Sequence, residues 1–231
     1  MIEVVDENGV PLWMRNRNRN RVALVNVVDH CLPYETHNLY DVTFHTHTIR
    51  TLLTSSPSHV DSWLSDNATN RRGLMVGLDM EWRPNTQPNM HNPVATLQLC
   101  IANRCLVFQI LHSPSIPRSL DSFLADPAVT FFGVGIRADA EKLLQDYNLH
   151  VANVRDLRPL AAGRLGDRAL NQAGLKALGL RVLGLEVQKP TRITMSRWDH
   201  RWLSAEQVQY AAVDAFLSYQ IACLLSVGAV W

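Results

Sequence analysis

The sequence predicts an α/β fold, a mixed five-stranded (or six-stranded) sheet with helices on both faces. Two patterns point to it. Three strand-like segments follow one another with only short connections, and after them strands alternate with helical segments, an order that places helices against a mixed sheet. The composition agrees: 231 residues, 47% hydrophobic and 19% charged, suit one well-buried core rather than a disordered or fibrous chain.

In chain order, Tyr40 to Thr48 alternates like a strand, and Pro57 to Leu64 reads as a short helix beginning beside Ser56 or Ser58. Leu74 to Trp82, Val94 to Ala102 and Arg104 to Ile110 form the run of three strands, joined by a Pro/Asn-rich loop and a tight turn at Asn103, which makes an antiparallel meander. Pro117 to Ala125 reads as helix, Thr130 to Gly135 as strand, Ala138 to Tyr147 as amphipathic helix and Val151 to Val154 as strand. Helical stretches follow at Asn171 to Leu178 and Ser204 to Ser226. This is the order of a ribonuclease-H-like sheet. Residues 1–35 are expected to be an N-terminal extension, mobile or interface-forming, and 36–231 the folded domain. The extension holds the alternating run Arg15 to Arg21, which suits phosphates if extended but equally a solvated strand, followed by the apolar run Val22 to Val28.

A formal net charge of +1 gives no global attraction to nucleic acid, so any such binding must come from a local patch or from bound cations. The four cysteines, Cys31, Cys100, Cys105 and Cys223, have neither CxxC spacing nor the density of a secreted scaffold and are expected to be reduced. That favours an intracellular protein, in nucleus or cytoplasm. The acidic start MIEVVDENG lacks a secretory pattern, and no run of about eighteen apolar residues stands out, so no membrane association is expected.

Three segments can carry chemistry. In Val76-Gly-Leu-Asp79-Met-Glu81-Trp82 a strand puts Gly77, Asp79 and Glu81 on one face, and two neighbouring carboxylates repel unless a hard cation such as Mg²⁺ or Mn²⁺ lies between them. In Gln207-Val-Gln-Tyr210-Ala-Ala-Val-Asp214-Ala the i, i+4 spacing puts Tyr210 and Asp214 on one helix face, and the alanines permit close packing on a sheet. In Phe131-Phe-Gly-Val-Gly135-Ile-Arg-Ala-Asp139-Ala-Glu-Lys142, Asp139 stands near a helix start, where a capping role competes with a functional one. That segment also mimics a dinucleotide-binding turn, Gly133-x-Gly135-x-x-Ala138 with Asp156 beyond, but such folds open with this unit rather than placing it after a meander. His45-x-His47 is expected on an exposed strand, and Trp198 and Trp202 are expected to be packing residues.

Together these segments resemble a known family. Trp198-x4-Leu203-x3-Gln207-x2-Tyr210-Ala-Ala-x-Asp214-Ala, with VGLDMEW, TLQLC and GVGIRADAEKL, is similar to the exonuclease domain of the Werner syndrome protein and its stand-alone plant relatives, with ribonuclease D a more distant cousin. The resemblance runs from about Tyr40 to about Leu225. It implies a 3′-5′ exonuclease of the tyrosine subclass of DEDD enzymes, since Gln209 stands where the histidine subclass has its histidine. By the same resemblance Asp79, Glu81, Asp139 and Asp214 hold two Mg²⁺ or Mn²⁺ ions, and Tyr210 orients the attacking water. The implied partner is nucleic acid, DNA 3′ ends and also RNA, and a homo-oligomer is compatible with the extension. Met80 and Trp82 beside the terminal base, Lys142, and Arg197 within the basic stretch Arg181 to Arg201 are the expected substrate-binding residues; that stretch reads equally well as solvated surface. The alternative is a catalytically silent nucleic-acid-binding or scaffold protein of the same fold, against which the intact acidic quartet argues, because four repelling carboxylates without ions destabilise a fold.

Overall fold

The structure, a computed structural model, describes residues 21–87 and 89–226. Its elements are β1 (Arg21–Val22), β2 (Val25–Asp29), β3 (His37–Phe44), β4 (His47–Thr54), α1 (Pro57–Asn67), β5 (Leu74–Glu81), β6 (Thr96–Ile101), β7 (Arg104–Phe108), α2 (Arg118–Leu124), β8 (Val129–Gly133), α3 (Ile136–Tyr147), β9 (Val154–Asp156), α4 (Leu157–Leu165), α5 (Leu175–Leu178), β10 (Leu185–Glu186), α6 (Thr191–Thr194) and α7 (Ala205–Ser226). Eight strands form one mixed sheet in the order β2-β3-β4-β7-β6-β5-β8-β9, and β1 pairs with β10 beside it. The expected meander is present as β5, β6 and β7, antiparallel in succession. β8 and β9 then join in parallel on the other side of β5, through crossovers that contain α2 and α3.

The sheet is larger than expected, for two local reasons. The stretch read as one strand, Tyr40 to Thr48, is a hairpin: Phe44 pairs with His47, and His45 turns the chain at φ +54°. Tight hairpins are usually announced by Gly, Asn or Asp at positive φ, and His45-Thr46 carries no such signal. The apolar run after Arg21 supplies β2, which pairs along β3 from Val25↔Phe44 to Asp29↔Tyr40 and so edges the sheet. The arginine alternation up to Asn20 lies outside the described residues. At the other edge, β9 starts at Val154, while Val151 is buried in the core. The helical stretch expected over Asn171 to Leu178 is a 3-10 turn, Arg168–Gln172, followed by the short α5. α4 was not expected because it contains Pro159 and Gly163. Its cap explains it: Asp156 accepts from the Arg158 N–H, and Pro159 falls in the first turn, where a missing N–H costs nothing.

Two cores lie on opposite faces of the sheet. Val76, Leu78 and Met80 of β5 point to one, with Leu97, Leu99, Phe131 and residues of α1, α2 and α3. The other packs Val42, Phe44, Cys100 and Val107 against α7 through Ala211, Ala215, Phe216 and Ala222. By length and composition alone α7 could cross a membrane, but 67% of its most apolar window is buried inside this fold. Gly77 decides how close α7 comes. A Cβ there would sit 2.0 Å from the Ala215 carbonyl oxygen, so the space left by this glycine is filled by the backbone of α7 itself.

Candidate active site

Strand alternation sends Asp79 and Glu81 to the α7 face, and close contact at Gly77 brings Asp214 over them. Carboxylate oxygens of Asp79, Glu81 and Asp214 lie within 4.8 Å of one another. Tyr210 stands one helical turn before Asp214 on α7, close enough that the carboxylate's charge adds to burial in raising its hydroxyl. The tyrosine is held on its flanks: Trp198, fully buried, packs 5.9 Å from its ring, and the Lys189 ammonium lies 5.1 Å from its centre. Lys189 also donates to Asp214 Oδ2. The sequence placed this lysine in a basic stretch tracking phosphates or facing solvent. The turn after β10 instead points it into the carboxylates, and no periodicity signals that.

Asp139 stands in the first turn of α3, outside the close trio, yet near enough that its charge raises both Asp79 and Glu81. The Gly135 N–H at the head of that helix donates to Asp156 Oδ2 at 3.1 Å, and Arg158 grips the same carboxylate from Nη2 at 2.6 Å. The turn that mimicked a phosphate cradle is therefore satisfied from within the chain. Two further residues face the acids. Gln98 and Thr96 are the cross-strand partners of Asp79 and Glu81, both fully buried, with Gln98 Nε2 donating to Thr96 Oγ1 at 2.6 Å. Their alternation within TLQLC is the signal that could have found them.

The expected substrate contacts divide. Met80 is corrected: it is 4% exposed and points into the core on the opposite face, as the period of two demands once Asp79 and Glu81 face α7. Lys142 is engaged within the fold. Its ammonium donates to the Asn92 carbonyl at 2.8 Å, pairs with Asp146 at 3.1 Å and lies 5.1 Å from the centre of the Trp82 ring, so it fastens the loop after β5. Trp82 is half-buried beside Glu81, and Arg197 is exposed and paired with Asp199 at 2.7 Å.

The electrostatics are those of crowded carboxylates that a cation would stabilise. Burial, then the charge of Asp214, pushes Asp79 well above the usual carboxylate range. Burial and Asp79 push Glu81 up to about 9, and burial with Asp156 pushes Asp139 up to about 7. Burial also raises Asp214, although Lys189 opposes it. One ammonium cannot balance four carboxylates, whereas an all-oxygen donor set with two divalent ions would, and the residues fit such ions. A pH dependence follows. Between about pH 4.5 and 9 the fold keeps a proton on Glu81 that the unfolded chain releases, so metal-free stability falls as pH rises through that window. Melting temperatures in EDTA are expected to drop from pH 5 to pH 9, and saturating Mg²⁺ to flatten that slope; a flat profile in EDTA would contradict it.

A mixed sheet whose strand β5 and long last helix converge on a cluster of part-buried carboxylates is a ribonuclease-H-like nuclease arrangement. The chain belongs to the 3′-5′ exonuclease family, whose model matches residues 56–226. It is 38% identical over 148 residues to a 3′-5′ exonuclease of Arabidopsis thaliana, covering 63% of this chain and 50% of that protein. Against the bifunctional 3′-5′ exonuclease/ATP-dependent helicase WRN of Mus musculus it is 33% identical over 158 residues, 67% of this chain and 11% of that one. The chain thus spans half or less of these relatives. In fold it matches RNase D of Escherichia coli, with a TM-score of 0.62 at 20% identity over 76% of this chain and 44% of the other. The Nibbler EXO domain of Aedes aegypti gives 0.60 at 20% identity over 76% and 86%.

Proposed function

We propose that this protein is a metal-dependent 3′-5′ exonuclease that hydrolyses phosphodiester bonds from the 3′ end of DNA, and of RNA by the same chemistry. Asp79, Glu81, Asp139 and Asp214 would hold two Mg²⁺ or Mn²⁺ ions. The observation that carries the reading is the trio of carboxylates within 4.8 Å, with Tyr210 one helical turn before Asp214 on the same helix. When bound, such ions stabilise the attacking and leaving oxygens of an in-line displacement at phosphorus.

The chain's own groups do the rest. Asp79 and Asp214, from different elements, fix the spacing of the site because α7 rests on Gly77. Burial, then the charge of Asp214, pushes the Tyr210 hydroxyl far above its ordinary value, so it keeps its proton and cannot serve as a base. It orients the attacking water instead, and Trp198 and Lys189 hold the ring in place. The half-buried Trp82 ring beside Glu81 would pack against the terminal base, and the exposed Arg197 would meet a phosphate.

Incubating 5′-labelled single-stranded DNA, 3′-recessed duplex DNA and single-stranded RNA with Mg²⁺ or Mn²⁺ tests the reading. Tyr210→Phe is expected to slow shortening by about 10²-fold, on the scale of one lost orienting hydrogen bond, while the thermal shift caused by Mg²⁺ stays unchanged. Equal rates for the variant and the parent would remove Tyr210 from the mechanism.

A further inference from the structure

Away from the carboxylates, two large aromatic side chains stand in solvent close together: Tyr34 is 58% exposed and Trp202 is 56% exposed. Trp202 was expected to pack inside, and the structure corrects that. Both line one cleft with His37, Gln109 and Arg201. The Arg201 guanidinium lies 5.7 Å from the centre of the Trp202 ring, and the Tyr34 ring stacks on His37 at 4.7 Å and 14°. His37 in turn stacks on His59 at 3.9 Å. The rings are anchored. Gln109 Nε2 donates to the Arg201 carbonyl at 2.9 Å, and the Gln109 N–H donates to Thr54 at 2.8 Å, tying the Trp202 segment to the ends of β4 and β7.

The cleft lies at the same end of the sheet as the acids. Glu81 pairs with Thr96; the next residue Leu97, which points to the opposite core, pairs with Phe108, Phe108 with Thr54, and Thr54 with His37, so the row along this end of the sheet starts on the acids' face and reaches the aromatic column on the α1 face. Four strand spacings make that row about 19 Å long. The segment from Arg197 to Trp202 runs alongside it: Asp199 pairs with Arg83, next to Trp82, at 3.6 Å, and three residues later Trp202 lies at the cleft.

We propose that this cleft is a stacking platform for single-stranded nucleic acid, holding bases 5′ of the bond being cut. The proposal rests on the exonuclease reading of the carboxylate cluster. Flat π-faces accept any base, and an arginine beside them suits the backbone without reading sequence. The large hydrophobics exposed at this cleft are both aromatic, whereas the exposed aliphatics Val22, Leu24, Val28 and Leu144 lie elsewhere, which favours a stacked base as the occupant.

The test uses the full chain and two substrates that differ in reach. One is a fluorescent 12-nucleotide oligo(dT), whose binding is read by anisotropy in EDTA. The other is the p-nitrophenyl ester of thymidine 5′-monophosphate, which is too short to leave the catalytic centre. Trp202→Ala and Tyr34→Ala, both at exposed positions, are expected to weaken oligo(dT) binding by about 5- to 150-fold each, the range for loss of one stacked base, and to leave Mg²⁺-dependent ester hydrolysis unchanged. Oligo(dT) binding that is absent in the parent, or equally tight in both variants, overturns the platform and would assign the cleft to a protein partner. Loss of ester hydrolysis in the variants also overturns it, since the rings would then belong to the catalytic centre. If the parent fails to hydrolyse the ester while its oligo(dT) binding depends on Trp202, the platform stands and the exonuclease reading falls.

Discussion

Replacing Asp79 by Asn is expected to lower the rate of nucleic-acid shortening by about 10³-fold or more and, in the same protein, to raise the metal-free melting temperature. The first effect follows from its position. The charges of Asp214 and Asp139 act on Asp79, as they do on Glu81, and a neutral amide in its place removes a ligand that would hold the ions against the developing charge of the reaction. The second follows from the cost of the same arrangement. Burial and neighbouring anions push Asp79 well above the usual range, so ionising it destabilises the fold, and that cost grows as pH rises. An amide cannot ionise. The gain should therefore be largest above about pH 8, at about 2–4 °C for each kcal/mol relieved. Mg²⁺ should narrow the difference, because cations offset the repulsion only where the carboxylate is present. A variant that loses activity and also melts lower at every pH would show that Asp79 is structural.

Gly77→Ala should produce the largest loss of stability of any single methyl addition in the catalytic strand. The new Cβ would meet the Ala215 carbonyl oxygen at 2.0 Å and the Tyr219 nitrogen at 2.7 Å, both backbone atoms that no side-chain rotation can move. α7 would have to lift from β5, at a cost of about 3 kcal/mol or more and a fall in melting temperature of about 6–12 °C. The same displacement would carry Asp214 and Tyr210 away from Asp79 and Glu81, so Mg²⁺ should protect the variant less than the parent. A variant that melts within about 2 °C of the parent would show that α7 does not rest on Gly77.

Much of the site was legible because its parts obey simple periods. The alternation of Asp79 and Glu81 about Met80, and the one-turn spacing of Tyr210 and Asp214, each fix a face without any knowledge of the partner element. The alternation that presented the acids also buried Met80, which should have excluded it as a base contact. The alternation of TLQLC puts Thr96 and Gln98 on one face, but that this face meets the acids, and that Lys189 enters the cluster, depends on which elements become neighbours. The hairpin at His45 was missed for a different reason: a residue without a turn preference adopts φ +54° because β3 and β4 pair along eight residues each, so tertiary pairing overrides the local signal. α4 was hidden by Pro159 in a first turn where proline is tolerated. Trp202 looked like core because tryptophan usually is, but its segment is anchored by Gln109, His112 and Arg83 with the ring itself in solvent.

The most direct test of the carboxylate cluster as a nuclease centre is the product pattern from a single-stranded DNA carrying its label at the 5′ end, incubated with Mg²⁺, with EDTA, and with the Asp79→Asn variant. A ladder of labelled products that shorten one nucleotide at a time from the 3′ end, present only with Mg²⁺ and the parent chain, is the predicted result. An intact substrate under every condition, or a ladder that persists in the variant or in EDTA, would contradict it.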